Sequence, residues 1–268
     1  MALDGWVAFQ ATVALVTGIV YAYVARLILA RHPSADARVA NYAFATWWAG
    51  FGAVEFLLSA YQFPVSLGYR DVAVITTVLY LLFILISAAI WGLVYYLVYL
   101  YTGSSRAFWP VTVFYGALAV GLVYLISWID ISGFDAQGNI VCRESAVSCN
   151  TLLPPWVSIL LGLALSAPIV AAAIAYGTLY FRTTERTQRF RIGVVAGSFF
   201  LWFGWSTVSS LIGISTRASK LQQEGDPSLQ HTLALVNATI ALVVPVLIVL
   251  AYRPPMWLRA RLGVEPVA

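Results

Sequence analysis

Charge is what this sequence lacks most. Only 10% of its 268 residues are Asp, Glu, Lys or Arg, and it holds a single lysine, Lys220, two histidines, two cysteines and two methionines. A soluble domain carries about 25% charged residues, so water is excluded as the main solvent of the folded chain. The same arithmetic excludes a soluble enzyme, a disordered chain and a coiled coil, and two cysteines are too few for a disulfide-stapled mini-protein. The two histidines, His32 and His231, fall at opposite membrane faces in the reading below and cannot share one haem. No cluster of cysteines or acids suits a metal, and no phosphate-binding glycine loop or serine–histidine–acid set is visible. The expectation is a protein that is not an enzyme, has no cofactor and has no nucleic-acid partner.

What is abundant is apolar surface. The chain is 61% hydrophobic and 15% aromatic, with a mean hydropathy of +0.85. A bilayer core about 30 Å thick takes roughly 20 apolar residues of helix to cross. That ruler marks seven runs: Trp6–Leu29, Val39–Phe63, Val72–Tyr101, Trp109–Ile129, Trp156–Phe181, Ile192–Ile214 and Thr232–Tyr252. They are long and continuous, without the alternation of a membrane barrel. The fold expected is therefore an all-α bundle of seven transmembrane helices, one domain over residues 1–268. Arginine placement orients it. With the N-terminus outside, eleven of the fifteen basic residues (Arg26, Arg31, Arg38, Arg106, Arg182, Arg186, Arg189, Arg191, Arg253, Arg259 and Arg261) lie inside. The positive-inside rule then gives N-out, C-in topology in the plasma membrane. The first run follows Asp4 rather than a basic segment and is followed by no small-residue cleavage site, so it reads as a retained helix. Cys142 and Cys149 share the longest outer loop, 130–155, and a disulfide between them would clamp it.

Two stretches suggest an internal duplication. Residues 46–60, Thr-Trp-Trp-Ala-Gly-Phe-Gly-Ala-Val-Glu-Phe-Leu-Leu-Ser-Ala, align without gaps with 200–214. Trp48 falls on Trp202, Gly50 on Gly204, Leu57 on Leu211 and Glu55 on Ser209. Runs one to three and five to seven point the same way, so the layout would be a parallel 3+1+3 repeat. Span count, topology and the tryptophan-rich sixth run ending Ser210-Leu-Ile-Gly213 are similar to those of microbial rhodopsins. A retinal Schiff base needs a lysine in the last span, however, and there this chain has Asn237 and Thr239. The 3+1+3 layout also resembles the sugar-exporting SWEET family, without the Pro-Gln pair typical of its relatives.

Glu55 is the one charged residue deep within a run. An ionised carboxylate at mid-membrane costs about 2.5–3.5 kcal/mol, so such a group turns to the bundle interior or to a wet cavity. Trp48, Glu55, Ser59 and Gln62 are spaced by seven, four and three residues and share one helical stripe. Trp202, the hydroxyls of Ser206 and Ser209, and Asn237 are the expected lining from the sixth and seventh runs. The functional reading makes these residues a ligand pocket or an ion path, with Glu55 its floor or a proton carrier. The bland reading is a protonated structural acid. Aromatics beside Glu55 (Trp47, Trp48, Tyr61, Trp202 and Trp205 among them) would suit a small organic cation, or merely fill the core. Pro168 and Pro245 should kink their spans. The inner loop holding Arg182, Arg186, Arg189 and Arg191 would bind lipid headgroups or a cytoplasmic partner, or simply anchor the topology. The stretch 253–263 reads as a short amphipathic segment on the inner surface. Three functions stay open: a small transporter or channel using Glu55, a receptor for a small ligand, and a structural subunit of a membrane complex.

Overall fold

The structure is a computed structural model, and it describes residues 5–30, 35–69, 71–127, 131–134, 140–142, 145–148, 155–218 and 227–263. Over the described residues the apolar runs lie on helices. In chain order these are α1 (Gly5–Leu29), α2 (Ala35–Ser66), α3 (Val72–Thr102), α4 (Phe108–Ser127), α5 (Pro155–Arg182), α6 (Arg186–Ala218) and α7 (Pro227–Tyr252), followed by the short α8 (Met256–Leu262). Among the described residues, four stretches are both long and apolar enough to cross a bilayer: Gly5–Leu29, Ala37–Ser66, Val72–Thr102 and Leu235–Tyr252. With no water to bond exposed backbone, helices of this length and composition belong in a membrane. The protein is membrane-embedded.

Two differences from the sequence reading have local causes. The loop 130–155 carries three short antiparallel strands, β1 (Ile131–Phe134), β2 (Ile140–Cys142) and β3 (Ser145–Ser148), in the order β1-β2-β3. Ile131, Phe134, Ile140, Val141 and Val147 are β-branched or aromatic residues that suit a pleated ribbon. The arginine-rich stretch 182–191 is not all loop. The chain turns only at Thr183–Glu185, and α6 begins at Arg186, six residues before its apolar run. Arginine and glutamine are good helix formers, and the Arg189 amide bonds the Glu185 carbonyl at 2.9 Å to start the helix. The helices continue through Pro64, Pro168 and Pro245.

The described chain divides into two compact units, Met1–Leu165 and Ser166–Ala268. In the first, α1, α2 and α3 pack side by side and α4 returns along α3. Helix ends are fixed by specific groups. Asp71 caps α3 by accepting from the Ala73 and Val74 amides at 2.8 and 3.3 Å. Gly103 ends it in the left-handed conformation (φ 62°), its N–H returning to the Tyr99 carbonyl at 2.8 Å. Asn41 Nδ2 donates to the Ile28 carbonyl at 3.0 Å, tying α2 to a free carbonyl in the last turn of α1. Trp91 Nε1 donates to Thr112 Oγ1 at 2.9 Å and joins α3 to α4.

Close approach is bought with glycine. A Cβ on Gly52 would lie 3.2 Å from the Tyr21 Cβ and 3.3 Å from the Gly18 carbonyl, and one on Gly50 would lie 2.7 Å from the Ala89 Cβ. A Cβ on Gly92 would run into the Ala43 carbonyl oxygen, a backbone atom that cannot swing aside. Gly116 on α4 has nothing within 4 Å of that position. The two sites make a matched pair. Gly92→Ala should destabilise the protein by about 1–3 kcal/mol through overpacking, whereas Gly116→Ala should be neutral or stabilising by up to about 1 kcal/mol through helix propensity. Thermal unfolding of the purified protein in detergent checks both.

Candidate functional site

Glu55 stands two-thirds of the way along α2, half-buried, on the face that begins with Trp48 and continues through Ser59. That face meets α1. Tyr21 lies against it, its ring 5.8 Å from Trp48 in a stacked arrangement and 6.2 Å from Phe51, and its phenol interacts electrostatically with the Glu55 carboxylate. Thr17 precedes Tyr21 by one helical turn and is likewise buried. The aromatic cluster spreads along α2 towards the α1–α2 turn. Trp47 meets Phe51 edge-on at 4.6 Å, Phe44 meets Trp48 edge-on at 6.0 Å, and Phe44 stacks on Tyr96 of α3 at 4.4 Å. Edge-on and offset ring pairs of this kind add about 0.5–1.5 kcal/mol beyond the area they bury.

Polarity within this packing is unevenly satisfied. Among the described residues the Trp48 Nε1, the Thr17 Oγ1 and the Gln62 Oε1 are buried without a hydrogen-bond partner. Leaving such a group unpaired costs about 1–3 kcal/mol. Ser59, one turn beyond Glu55, is buried as well. Of the residues singled out from sequence, Trp48, Glu55, Ser59 and Gln62 therefore do share a face. Tyr21 and Thr17 were missed. Their i, i+4 spacing around Gly18 was the available signal, because a glycine flanked by buried polar residues marks where a neighbouring helix comes close.

Trp202, Ser206, Ser209, Asn237 and the four arginines of 182–191 belong to the second unit. Trp202 is half-buried and Asn237 exposed on α7. Ser206 and Ser209 fall on α6, but their side chains lie outside the described residues, as do Cys149 and hence the expected pairing with Cys142. At the α5–α6 turn, Arg182 and Arg186 are exposed, and the Arg189 guanidinium sits over the Tyr180 ring at 4.7 Å from its centroid. Gly193 permits this: a Cβ there would come within 2.9 Å of the same ring. Arg186 reaches towards Gly263 at the end of α8. On α8, Met256 and Trp257 are exposed, and Arg259 Nε donates to the Pro254 carbonyl at 2.6 Å. On the facing sides of α5 and α6, Tyr176 stacks on Phe199 at 5.8 Å.

The sequence matches no protein-family model, and no curated protein matches it significantly. The site is therefore read from its own chemistry.

Trp48 is 1% exposed and Val120 on α4 is 71% exposed, which separates packing from surface roles. Trp48→Ala should destabilise the protein by about 3–5 kcal/mol, the range for emptying a large aromatic site. Val120→Ala should stay within about 0.5 kcal/mol. The comparison is read from denaturation midpoints in one detergent.

Proposed function

We propose that the protein is a small transporter or channel of the plasma membrane, a seven-span bundle with its N-terminus outside, and that Glu55 lies in its conduction path. The single observation behind this reading is the placement of Glu55. It is the one carboxylate in the interior of a described helix, and among the described residues no hydrogen bond or ion pair compensates it; Tyr21 is its electrostatic neighbour. A group so costly in hydrocarbon is kept where it exchanges protons or meets cations and water. Ser59 and Gln62 continue its face towards the end of α2 that the topology puts outside, so hydrated groups approach from there. Gln62, with its buried and unpaired oxygen, is the next polar step on that route.

Trp47 and Trp48, both fully buried, close α2 on the inner side of Glu55. Transport through this region therefore requires a rearrangement at the Tyr21–Trp48 stack, an alternating gate rather than an open pore. A receptor reading builds the same outer pocket with a fixed floor, and its signal would leave through the exposed arginines at the α5–α6 turn.

Aqueous thiol labelling of Glu55→Cys from each side of the membrane separates these readings, once Cys142 and Cys149 are shown not to react. The expected result is modification from both sides. Modification from outside alone would replace transport with a ligand pocket. A folded variant that reacts from neither side would make Glu55 a buried structural acid and favour a role as a subunit of a larger complex.

A further inference from the structure

A concavity lies away from the Glu55 face, in the wall that α1 and α2 share. It is a groove of about 610 Å³ lined by those two helices alone. On α1 the lining is Ala22 and, three, four and seven residues on, Ala25, Arg26 and Leu29, all on one face, with Ala30 just past the helix end; on α2 it is Ala49 and, at the same offsets, Gly52, Ala53 and Phe56. Methyl groups and a glycine leave the space unfilled. Leu29 and Phe56, both exposed, stand as apolar rims.

Two features say what fills it. The α1 side runs from Ala22 to Ala30, about 12 Å at the rise of an α-helix, close to one leaflet of a hydrocarbon core about 30 Å thick. It also reaches the end of α1, so the groove opens at the membrane surface. Arg26 stands at that end, exposed, and among the described residues no acidic side chain lines the groove to neutralise it. A helix seated here would bury the guanidinium against an apolar face with nothing to pair it, at a cost of several kcal/mol. A lipid tail would leave it at headgroup level, where its planar fork suits a phosphate.

We propose that this groove binds one acyl chain of an anionic phospholipid, with Arg26 holding the headgroup phosphate. The site is independent of the role given to Glu55. Wild-type protein in phosphatidylcholine nanodiscs doped with phosphatidylglycerol carrying a photoreactive diazirine acyl chain should crosslink mainly within 22–30 and 49–56, as mapped by peptide mass spectrometry. The same diazirine chain on phosphatidylcholine should crosslink there about fivefold less, the preference that one basic residue confers at an anionic surface. Arg26→Gln should erase the preference while leaving the phosphatidylcholine signal in place. Ala22→Leu with Ala49→Leu, both at exposed positions outside the packed core, should remove the crosslinks of either lipid. The proposal is overturned if crosslinks spread evenly over exposed α4 positions such as Val113 and Val120, or if Arg26→Gln retains the preference. It is also overturned if the groove segments crosslink to a second copy of the chain, which would make the groove a helix-docking face.

Discussion

Everything in the first unit depends on how near its helices can come to one another. In a bilayer, lipid tails are as apolar as leucine, so hydrophobic burial gives helices no reason to associate. What remains is dispersion between closely fitted surfaces, which weakens within an ångström of misfit. Gly18 and Gly52 let α1 and α2 meet backbone to backbone, and Gly50 of α2 and Gly92 of α3 do the same for that pair, against Ala89 and Ala43 respectively. With the backbones that close, the large rings of Tyr21, Trp47, Trp48 and Phe44 are buried.

The same fit explains why Glu55 and the lipid groove occupy different sides of one helix pair. Where α1 offers Tyr21 and Thr17, the interface with α2 is filled and partly polar. Where α1 offers Ala22, Ala25 and Ala30 opposite Ala49 and Ala53, nothing fills the gap and an apolar furrow opens. One residue of a helix is a rotation of about 100°, so a small change in how α1 and α2 are turned would move both faces, and the glycine contacts that fix that rotation carry consequences beyond their own energy.

The charged groups obey a complementary rule. Arginines gather at helix ends, where they find partners that do not need to be ions: Arg189 lies on the Tyr180 ring and Arg259 donates to the Pro254 carbonyl. These contacts tether flexible side chains at the membrane surface without burying charge. Glu55 stands apart from this pattern, within a helix rather than at its end, and among the described residues no cation answers it.

The helices themselves were legible because their signal is one-dimensional. A run of apolar residues long enough to cross a bilayer must be helical, and α1, α3 and α5 end within a residue of their runs, whereas α6 and α7 begin six and five residues earlier, on polar first turns. The stripe of Trp48, Glu55 and Ser59 was legible for the same reason, since helical periodicity is local. Which residues of α1 face that stripe was not, because Tyr21 and Tyr23 differ only in rotation about the helix, and rotation is decided by a glycine contact with a segment some thirty residues away. The groove beside Arg26 was hidden altogether: a row of alanines reads as mere small residues until a second row is laid against it. Sequence determined what the solvent requires of each segment alone; tertiary structure decided what two segments make between them, because depth, contact and cavity exist only once both backbones are in place.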